Sequence, residues 1–321
     1  MKTRKNKYNH RKDLGNFDPT KNKTYSLSKR KHKVSFESFV CPSTHSTTIE
    51  KFISSLPDIL AGKDFKKLIS SIHASKKHNK PIIWALGAHV IKTGLNPAII
   101  KLMKAGYVDL IAFNGAGIIH DTEIALVGES SEEVSDGIKD GTFGMVKETG
   151  EFINEAIEKA AQNDMGLGEC LGKKIVENNC PYKSKSILAC SYELGIPVTV
   201  HVSIGTDIIH MHPNANGAAI GKTSMKDFMI FTQMVSKMTG GIFLNVGSAV
   251  ILPEVFLKAI TMARNQGFKI GNFDTATFDF NQHYRPMQNV VQRPTSILGG
   301  NGYYFIGHHE IMIPLLSAAL L

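Results

Sequence analysis

From about residue 81 onward, short apolar segments alternate with longer segments whose apolar residues recur at helical spacing. This alternation is typical of βαβ units, in which helices join parallel strands. The apolar segments hold few polar residues, as expected of strands that are covered on both faces. We predict strands at residues 81–86, 108–113, 196–203, 241–246, 268–273 and 303–306. The pattern therefore predicts an α/β fold with a doubly wound, mostly parallel, Rossmann-like sheet and helices on both faces.

Helical patterns fill the segments between these strands and precede the first of them. We predict helices at residues 49–56, 65–74, 95–105, 146–161, 224–238, 253–265 and 311–321. Residues 129–133 are interpreted as the start of another helix, and residues 136–144 as a glycine-bearing surface loop that could cover a ligand crevice. The predicted organisation is a basic, flexible tail over residues 1–35, a helical preface over residues 36–80 and an α/β domain over residues 81–321.

The net charge of +9 is concentrated in the tail. Residues 1–33 carry 12 Lys or Arg against two Asp, whereas the rest of the chain has 25 basic and 26 acidic residues. Because the body carries no basic surplus, we expect no nucleic-acid binding except through the tail. No apolar run is long enough for a signal peptide or a membrane span, so no membrane association is expected. The four cysteines lie ten or more residues apart, which favours buried thiols in the cytoplasm.

Small and polar residues follow every predicted strand. Ligands of open parallel sheets bind outside the carboxyl ends of the strands, so these residues are expected to share one crevice. They are Gly87, Ala88 and His89; Asn114 to Gly117 with His120 and Asp121; His201, Asp207, His210 and His212; Asn245, Gly247 and Ser248; Asp274 to Thr277; and His308, His309 and Glu310. This convergence predicts a site for a small-molecule substrate.

The histidines in this set suggest the chemistry. Imidazole ordinarily titrates near neutrality and suits proton transfer, so His201, Asp207, His210 and His308 are the candidate catalytic residues. Imidazole also binds zinc, iron or manganese, which makes His201, His210 and His212 weak candidates for metal ligands. Their spacing matches no known metal motif, and the metal site stays open at this point.

The order of these strand-end motifs resembles deoxyhypusine synthase, whose members use NAD and spermidine to build an aminobutyl group on a protein lysine. The resemblance runs from about residue 82 to residue 316. The segments that carry it are residues 86–95, similar to Gly-x-Ser-Asn…Ser-Gly; 108–117, similar to Val-Asp-Val…Thr-Ala-Gly-Gly; 195–207, similar to Ile-Pro-Val…Thr-Asp; 243–247, similar to Ile-Leu-Gly-Gly-Gly; 274–276, similar to Asn-Thr-Ala; and 312–316, similar to Val-Phe-Pro-Leu-Leu.

The resemblance implies an NAD-binding homotetramer in which residues 81–321 form a deoxyhypusine synthase-like nucleotide-binding domain. The cofactor contacts it implies are Ala88, His89, Asn114, Gly115, Ala116, Gly117, Asp207, Asn245, Gly247, Thr275, Ala276 and His308. Acidic positions of the family match only loosely at Asp121 or Glu123, and His308 falls near a family aspartate that faces the cofactor.

The departures from the family concern its chemistry. The family carries its Schiff-base lysine in Ala-Val-Ser-Trp-Gly-Lys shortly after Arg-Pro, whereas residues 287–294 after Arg285-Pro286 contain neither lysine nor tryptophan. Arg293 is no substitute, because a guanidinium stays protonated and forms no imine. The acidic residues that hold spermidine are also missing, with Gln288 and Asn289 in their neighbourhood.

These observations favour a deoxyhypusine synthase-like transferase or oxidoreductase that uses NAD on a small polar or amine substrate with a histidine-rich site. The alternatives are a true deoxyhypusine synthase of polyamine metabolism, a metal-dependent hydrolase or lyase, and a catalytically silent binding protein.

Overall fold

The computed structural model describes residues 18–24, 26, 29, 39 and 48–321. The chain divides into two units, Met1–Phe39 and Val40–Leu321. The described part of the first unit contains a short 3-10 helix, Pro19–Lys21, whose amino end is capped by the side chain of Asp18. Most of the predicted basic tail, and Cys41, lie outside the described residues.

The second unit is built on one six-stranded sheet with the order β3-β2-β1-β4-β5-β6. All five strand pairs are parallel. The strands are β1 Ile82–Leu86, β2 Leu110–Asn114, β3 Val198–His201, β4 Ile242–Val246, β5 Asp274–Asp279 and β6 Gly302–Ile306. The predicted doubly wound, Rossmann-like α/β fold is confirmed.

One predicted strand is wrong. Residues 268–273 form a turning segment, in which Phe268 is 49% exposed and Asn272 has a φ of 50°. The strand is instead β5, whose first residues, Asp274 to Thr277, were predicted to follow the strand and line the ligand crevice. Threonine is β-branched and suits a sheet; Thr275 is buried there and donates its hydroxyl hydrogen bond to the carbonyl of Val290 at 2.8 Å.

The helices surround the sheet. They are α1 Ile49–Ser55, α2 Leu60–Lys77, α3 His89–Lys92, α4 Asn96–Lys104, α5 Gly115–Val127, α6 Val134–Asp140, α7 Lys147–Gln162, α8 Leu167–Glu177, α9 Ile187–Leu194, α10 Gly217–Val235, α11 Ile251–Asn265, α12 Tyr284–Pro286, α13 Arg293–Leu298 and α14 His309–Leu320, with 3-10 helices at Lys183–Lys185 and Ile208–Met211 and a π-helix at Met287–Gln292. Each predicted helix is confirmed with shifted ends. Among the described helices, none has the length and apolar content needed to cross a membrane.

The segment predicted as a surface loop at residues 136–144 is only partly a loop. Its first half belongs to α6, which Glu133 caps at the amino end by accepting a hydrogen bond from the backbone N–H of Ser135. The helix ends at Gly141, which has a φ of 78°, a value that glycine adopts without strain. The predicted helix start at residues 129–133 is confirmed by this cap.

Alternating residues of the central strands enter two separate cores. Ile82, Trp84 and Leu86 of β1 belong to the cluster that also contains residues of α2, α4, α5, α8, α9 and α14. Ile83 and Ala85 belong to the opposite cluster, with residues of α10 and α11. This alternation is the pattern that a two-faced, fully covered sheet requires.

Helix α10 also satisfies the free edge of β3. The Ser224 hydroxyl donates to the Val200 carbonyl at 3.0 Å and accepts from the Val202 N–H at 3.1 Å. The Asp227 carboxylate accepts from the backbone N–H groups of Val200 at 2.9 Å and Gly168 at 3.1 Å. Burial raises the pKa of Asp227 to about 7, although these hydrogen bonds act in the opposite direction. The contacts fix the carboxyl end of β3, from which the loop of residues 202–212 leaves.

Candidate active site

The strand order places the switch point of the sheet between β1 and β4, where chains of this topology bind ligands. Here the backbones of Gly87 and Gly247 are in contact. The Gly87 N–H donates to the Val246 carbonyl at 2.8 Å, and a Cβ on Gly87 would lie only 2.1 Å from the Gly247 carbonyl oxygen. Gly247 has a φ of 69°. Both positions therefore require glycine.

Three rings meet above this switch point. The centroids of His89 and His309 are 5.4 Å apart, and Phe280 lies 5.8 Å from His89 and 6.3 Å from His309. The His309 Nε2 is 3.0 Å from the Phe278 carbonyl, so this nitrogen carries the proton and donates. The other nitrogen, Nδ1, is then a buried acceptor, for which the described residues provide no partner. The pKa of His89 is lowered mainly by its partial burial and, to a smaller extent, by the nearby His309.

A cavity of about 220 Å³ lies beside the switch point, at the carboxyl ends of β2 and β3. Its wall combines the first turns of α5, the segment leading into α6 and the loop after β3. Lys92, the last residue of α3, also lines it. Because α3 begins at His89, the three-ring cluster and the cavity are separated by only one helical turn, about 5 Å along the axis.

A histidine and a glutamate that line the cavity are joined by a serine in a hydrogen-bonded chain. His120 and Glu123 are three residues apart on α5 and so share a face of the helix. The Ser130 hydroxyl donates to the Glu123 Oε2 at 2.6 Å, and the His120 Nδ1 lies 2.6 Å from the same hydroxyl oxygen. Since the hydroxyl proton points to Glu123, the His120 Nδ1 must be the donor to Ser130. The His120 Nε2 is thereby left with a free lone pair.

Glu123 is held in the ionised form. Burial raises its pKa, but hydrogen bonds from His120, Ser130 and Thr149 outweigh this effect, and the net shift is downward. The Thr149 hydroxyl donates to the second carboxylate oxygen at 3.1 Å. Glu123 therefore orients His120 through Ser130 and stays negative while doing so.

Asp207 occupies the amino end of α5. A Cβ on Gly115 would lie 1.9 Å from the Asp207 Oδ2, so the carboxylate rests directly on the first turn of the helix. The Ala116 N–H and the Thr206 side chain favour its charged form, although the Thr206 hydroxyl donates its own proton to the Ser203 carbonyl at 2.8 Å. Burial outweighs both neighbours and raises the pKa of Asp207 to about 6. The Asn114 side chain caps the same turn by accepting from the Gly117 N–H at 3.1 Å. The turn from Asn114 to Gly117, which the family resemblance assigns to the cofactor, is thus filled by the protein's own carboxylate.

Several predicted site residues lie away from this edge of the sheet. Thr275 and Ala276 are buried inside β5, where they pair with Phe243 and Leu244 in the middle of β4. They therefore lie away from the carboxyl ends of these two strands. Asn245 is fully buried and donates to the Ser248 carbonyl at 3.0 Å.

His308, predicted to face a cofactor, has a side chain that is 71% exposed and pairs with Glu310. The adjacent His309 is the residue that is buried at the switch point.

The three candidate metal ligands have separate partners. The His210 Nδ1 accepts a hydrogen bond from the Gly205 N–H at 3.1 Å. The His201 Nε2 contacts the Thr199 hydroxyl at 3.0 Å, and the His201 ring packs on Phe231. The His212 Nε2 donates to the Gly144 carbonyl at 2.8 Å. Over the described ranges, no group of three or more His, Cys, Asp or Glu residues is placed to hold a metal ion. Complete burial lowers the pKa of His201 to about 3, which keeps its imidazole neutral.

The cavity contains functional groups that were not predicted from the sequence. His120 and Glu123 were noted only as strand-end and loosely matching residues, and Ser130 was assigned to a helix start. The available signal was the three-residue spacing of His120 and Glu123 after a glycine-containing turn. Ser130 carries no comparable signal, because it is brought back to α5 by Gly128, a left-handed cap with a φ of 79°.

No family model matches this sequence, and no curated protein is significantly similar to it. Unliganded AgrE has a similar structure, with a TM-score of 0.52 and 14% identity over 80% of this chain and 32% of that chain. ArgZ, an arginine dihydrolase from the ornithine–ammonia cycle in cyanobacteria, gives a TM-score of 0.50 and 14% identity over 80% of this chain and 31% of that chain. A candidate deoxyhypusine synthase from Entamoeba histolytica gives a TM-score of 0.48 and 12% identity over 85% of this chain and 93% of that chain.

This chain therefore spans about a third of the length of AgrE and ArgZ, at 32% and 31%. AgrE has also been solved in a ternary complex with ornithine and NAD⁺. Identities this low show a shared Rossmann-like fold, and no specific family is confirmed for this chain.

Proposed function

We propose that this chain is an NAD-linked enzyme that performs histidine-assisted acid–base chemistry on a small amine. The observation that carries the proposal is the chain of hydrogen bonds from His120 through Ser130 to Glu123 in the cavity wall. This arrangement suits a general base. The hydrogen bond that the imidazole donates from one nitrogen fixes the tautomer of the ring and leaves the other nitrogen free to accept a proton.

The proton transfer follows from this geometry. The His120 Nε2 accepts a proton from the substrate, and the resulting imidazolium is stabilised by the Glu123 carboxylate, whose Oε2 lies 3.7 Å from the His120 Nδ1. The hydrogen bond through Ser130 holds the ring in place during the transfer. A positioned base of this kind contributes about 10²- to 10⁴-fold to a rate.

The charges in the cavity wall favour a cationic substrate. Glu123, Glu132 and Asp207 contribute three carboxyl groups, and Lys92 contributes one ammonium group. Glu132 is fixed by a hydrogen bond from the Gly144 N–H at 2.9 Å. A small amine would complement this surplus of acidic groups, whereas an anionic substrate would be repelled.

NAD is assigned to the switch point beside the cavity. The unpaired His309 Nδ1 can accept a hydrogen bond from a ribose hydroxyl or an amide N–H, and the rings of His89 and Phe280 offer surfaces for stacking. Ala88 and Gly247 keep the approach free of large side chains. NAD would supply a nicotinamide ring that accepts a hydride. The amino end of α5 is not assigned to its phosphates, because Asp207 fills it. The likeness to AgrE, which binds NAD⁺, supports the assignment.

Aminobutyl transfer by a Schiff base is not proposed. Residues 287–293, which follow Arg285-Pro286, contain no lysine and form a π-helix that passes into α13. Arg293 donates to the Asn289 Oδ1 at 2.8 Å and to the Tyr284 hydroxyl at 3.2 Å. The tetramer and the cytoplasmic location remain predictions.

The test combines cofactor binding with turnover. NADH fluorescence is titrated with the wild-type chain, and NADH formation is followed with ornithine and simple alkylamines as substrates. We expect His120→Gln to lower turnover by about 10²-fold or more while changing NADH affinity by less than about two-fold. His78→Gln is the matched control, because His78 is an exposed residue that ends α2.

Two outcomes would contradict the proposal. The first is the absence of NADH binding at about millimolar concentration, which would favour a catalytically silent binding protein. The second is unchanged turnover in His120→Gln, which would remove the histidine from the mechanism.

A further inference from the structure

The loop after β3 carries a second pair of polar groups, distinct from the His120 chain. The His210 Nδ1 accepts hydrogen bonds from the backbone N–H groups of Gly205 at 3.1 Å and Asp207 at 3.4 Å. Since Nδ1 accepts, the proton of the neutral ring is on Nε2. The two backbone N–H groups therefore fix the ring, and its one donor, Nε2, lies on the opposite side of the ring from them.

That donor faces the carboxylate of Asp207 without reaching it. The His210 Nε2 and the Asp207 Oδ2 are 3.9 Å apart, too far for a hydrogen bond. Both side chains are at least nine-tenths buried, with 8% and 4% of their surface exposed. Neither atom has a hydrogen-bond partner among the described residues. Leaving a buried polar group without a hydrogen bond is unfavourable, so two such groups facing each other point to a missing third group.

We propose that the His210–Asp207 pair binds a hydroxyl group of the substrate. One oxygen placed about 2.9 Å from both atoms would span the gap, with the two hydrogen bonds about 85° apart. It would accept from the His210 Nε2 and donate to the Asp207 Oδ2. Asp207 lines the acidic cavity described above, so this inference rests on the proposed function and narrows its substrate to a hydroxyl-bearing amine.

Other groups complement the pair less well. An ammonium donates to Asp207 but cannot accept from His210, and a carbonyl or carboxylate accepts from His210 but cannot donate to an ionised Asp207. A metal ion is disfavoured because the facing nitrogen of His210 carries the proton. A hydroxyl group satisfies both atoms at once.

The experiment compares two probes that differ by the hydroxyl alone, 4-amino-1-butanol and butylamine. Their dissociation constants are measured by NMR titration at pH 8 with the full chain, in the absence of any cofactor. We expect the amino alcohol to bind wild-type protein about ten-fold more tightly, since hydrogen bonds to a charged group are worth about 1.5–3 kcal/mol. The advantage should fall to about two-fold or less in Asp207→Asn and in His210→Asn.

The variants are chosen to preserve the loop. Asparagine at position 210 can place an acceptor near the site of Nδ1, which keeps the backbone N–H groups paired while removing the Nε2 donor. Asp164→Asn is the matched control: Asp164 is exposed, forms its ion pair with Lys226 and has a φ of 51°, which asparagine also tolerates. It should keep the full advantage.

Equal affinity of the two probes for wild-type protein would overturn the inference, as would an advantage that survives in both variants. Failure of both probes to bind at 100 mM would also overturn it, because the cavity would then hold no amine. A clear hydroxyl advantage together with absent NADH binding would instead leave this subsite standing and remove the proposed cofactor.

Discussion

Replacing Asp207 by asparagine should stabilise the protein, although the residue lies in the candidate active site. Its pKa is about 6 in the folded protein, above the ordinary aspartate value of 3.8, because burial penalises the charged form. Between these two values the folded protein keeps a proton that the unfolded chain has lost, so stability falls as the pH rises through this window and is constant above it. The loss amounts to about 3 kcal/mol, at 1.36 kcal/mol for each pKa unit.

Asparagine cannot ionise, so this pH-dependent loss disappears in Asp207→Asn. The amide oxygen can still face the Ala116 N–H, and the weaker attraction of a neutral amide for this donor costs about 1 kcal/mol. We therefore expect the variant to be about 2 kcal/mol more stable than wild type at pH 8 and about 1 kcal/mol less stable at pH 4. Urea denaturation of both proteins at these two pH values measures the free energies of unfolding.

Asp121 is the matched control, because it is a buried carboxylate with a structural role. It accepts from the Asn96 amide and the Ile187 N–H on one oxygen and from the Ser186 hydroxyl and the Leu188 N–H on the other. Asp121→Asn would turn an N–H₂ group toward two of these donors, so it should destabilise the protein by about 2–4 kcal/mol. A destabilisation of similar size in Asp207→Asn at both pH values would refute the reasoning and make Asp207 a structural cap of α5.

Three further predictions concern the surroundings of the site. Gly247→Ala should cost about 2 kcal/mol or more in urea denaturation, because a Cβ would lie 2.9 Å from the His309 ring; Gly195→Ala, with a similar φ of 68° and open space, should cost only about 1 kcal/mol. The His201 imidazole should show no NMR titration above about pH 5, because burial lowers its pKa to about 3; its contribution to stability is present above the ordinary histidine pKa of 6.5 and lost as the pH falls toward 3. Ser224→Ala should expose the edge of β3 and speed amide hydrogen exchange along that strand, and unchanged exchange would contradict the role given to this hydroxyl.

The fold followed from the sequence because it depends on burial. Strands covered on both faces must be apolar nearly throughout, and helices beside them must be apolar at helical spacing, so β1, β2 and β4 were predicted close to their true bounds. The same rule explains the error at β5, where three apolar residues, Phe268, Ile270 and Phe273, precede a strand that contains two buried threonines.

The position of the site at the carboxyl ends of the strands also followed from the sequence, since strand order and direction fix which loops meet. The groups at this edge were harder to predict. Two adjacent histidines begin α14, and only the packing of the helix decides that His309 is buried over Gly247 while His308 remains exposed. Helical neighbours differ by about 100° in direction, so a one-residue choice decides which ring faces the switch point.

Tertiary structure alone decided which polar side chains are partners. The sequence supplied histidines, serines and carboxylates in abundance, but the Glu123–Ser130 hydrogen bond and the facing atoms of Asp207 and His210 depend on the left-handed turn at Gly128 and on the path of the loop after β3. A hydrogen bond requires its atoms to lie within about 3 Å, whereas sequence periodicity fixes only the face of a helix or strand. The sequence by itself therefore determined the sheet and the edge at which the candidate site lies, and the three-dimensional contacts decided which polar residues are brought together there.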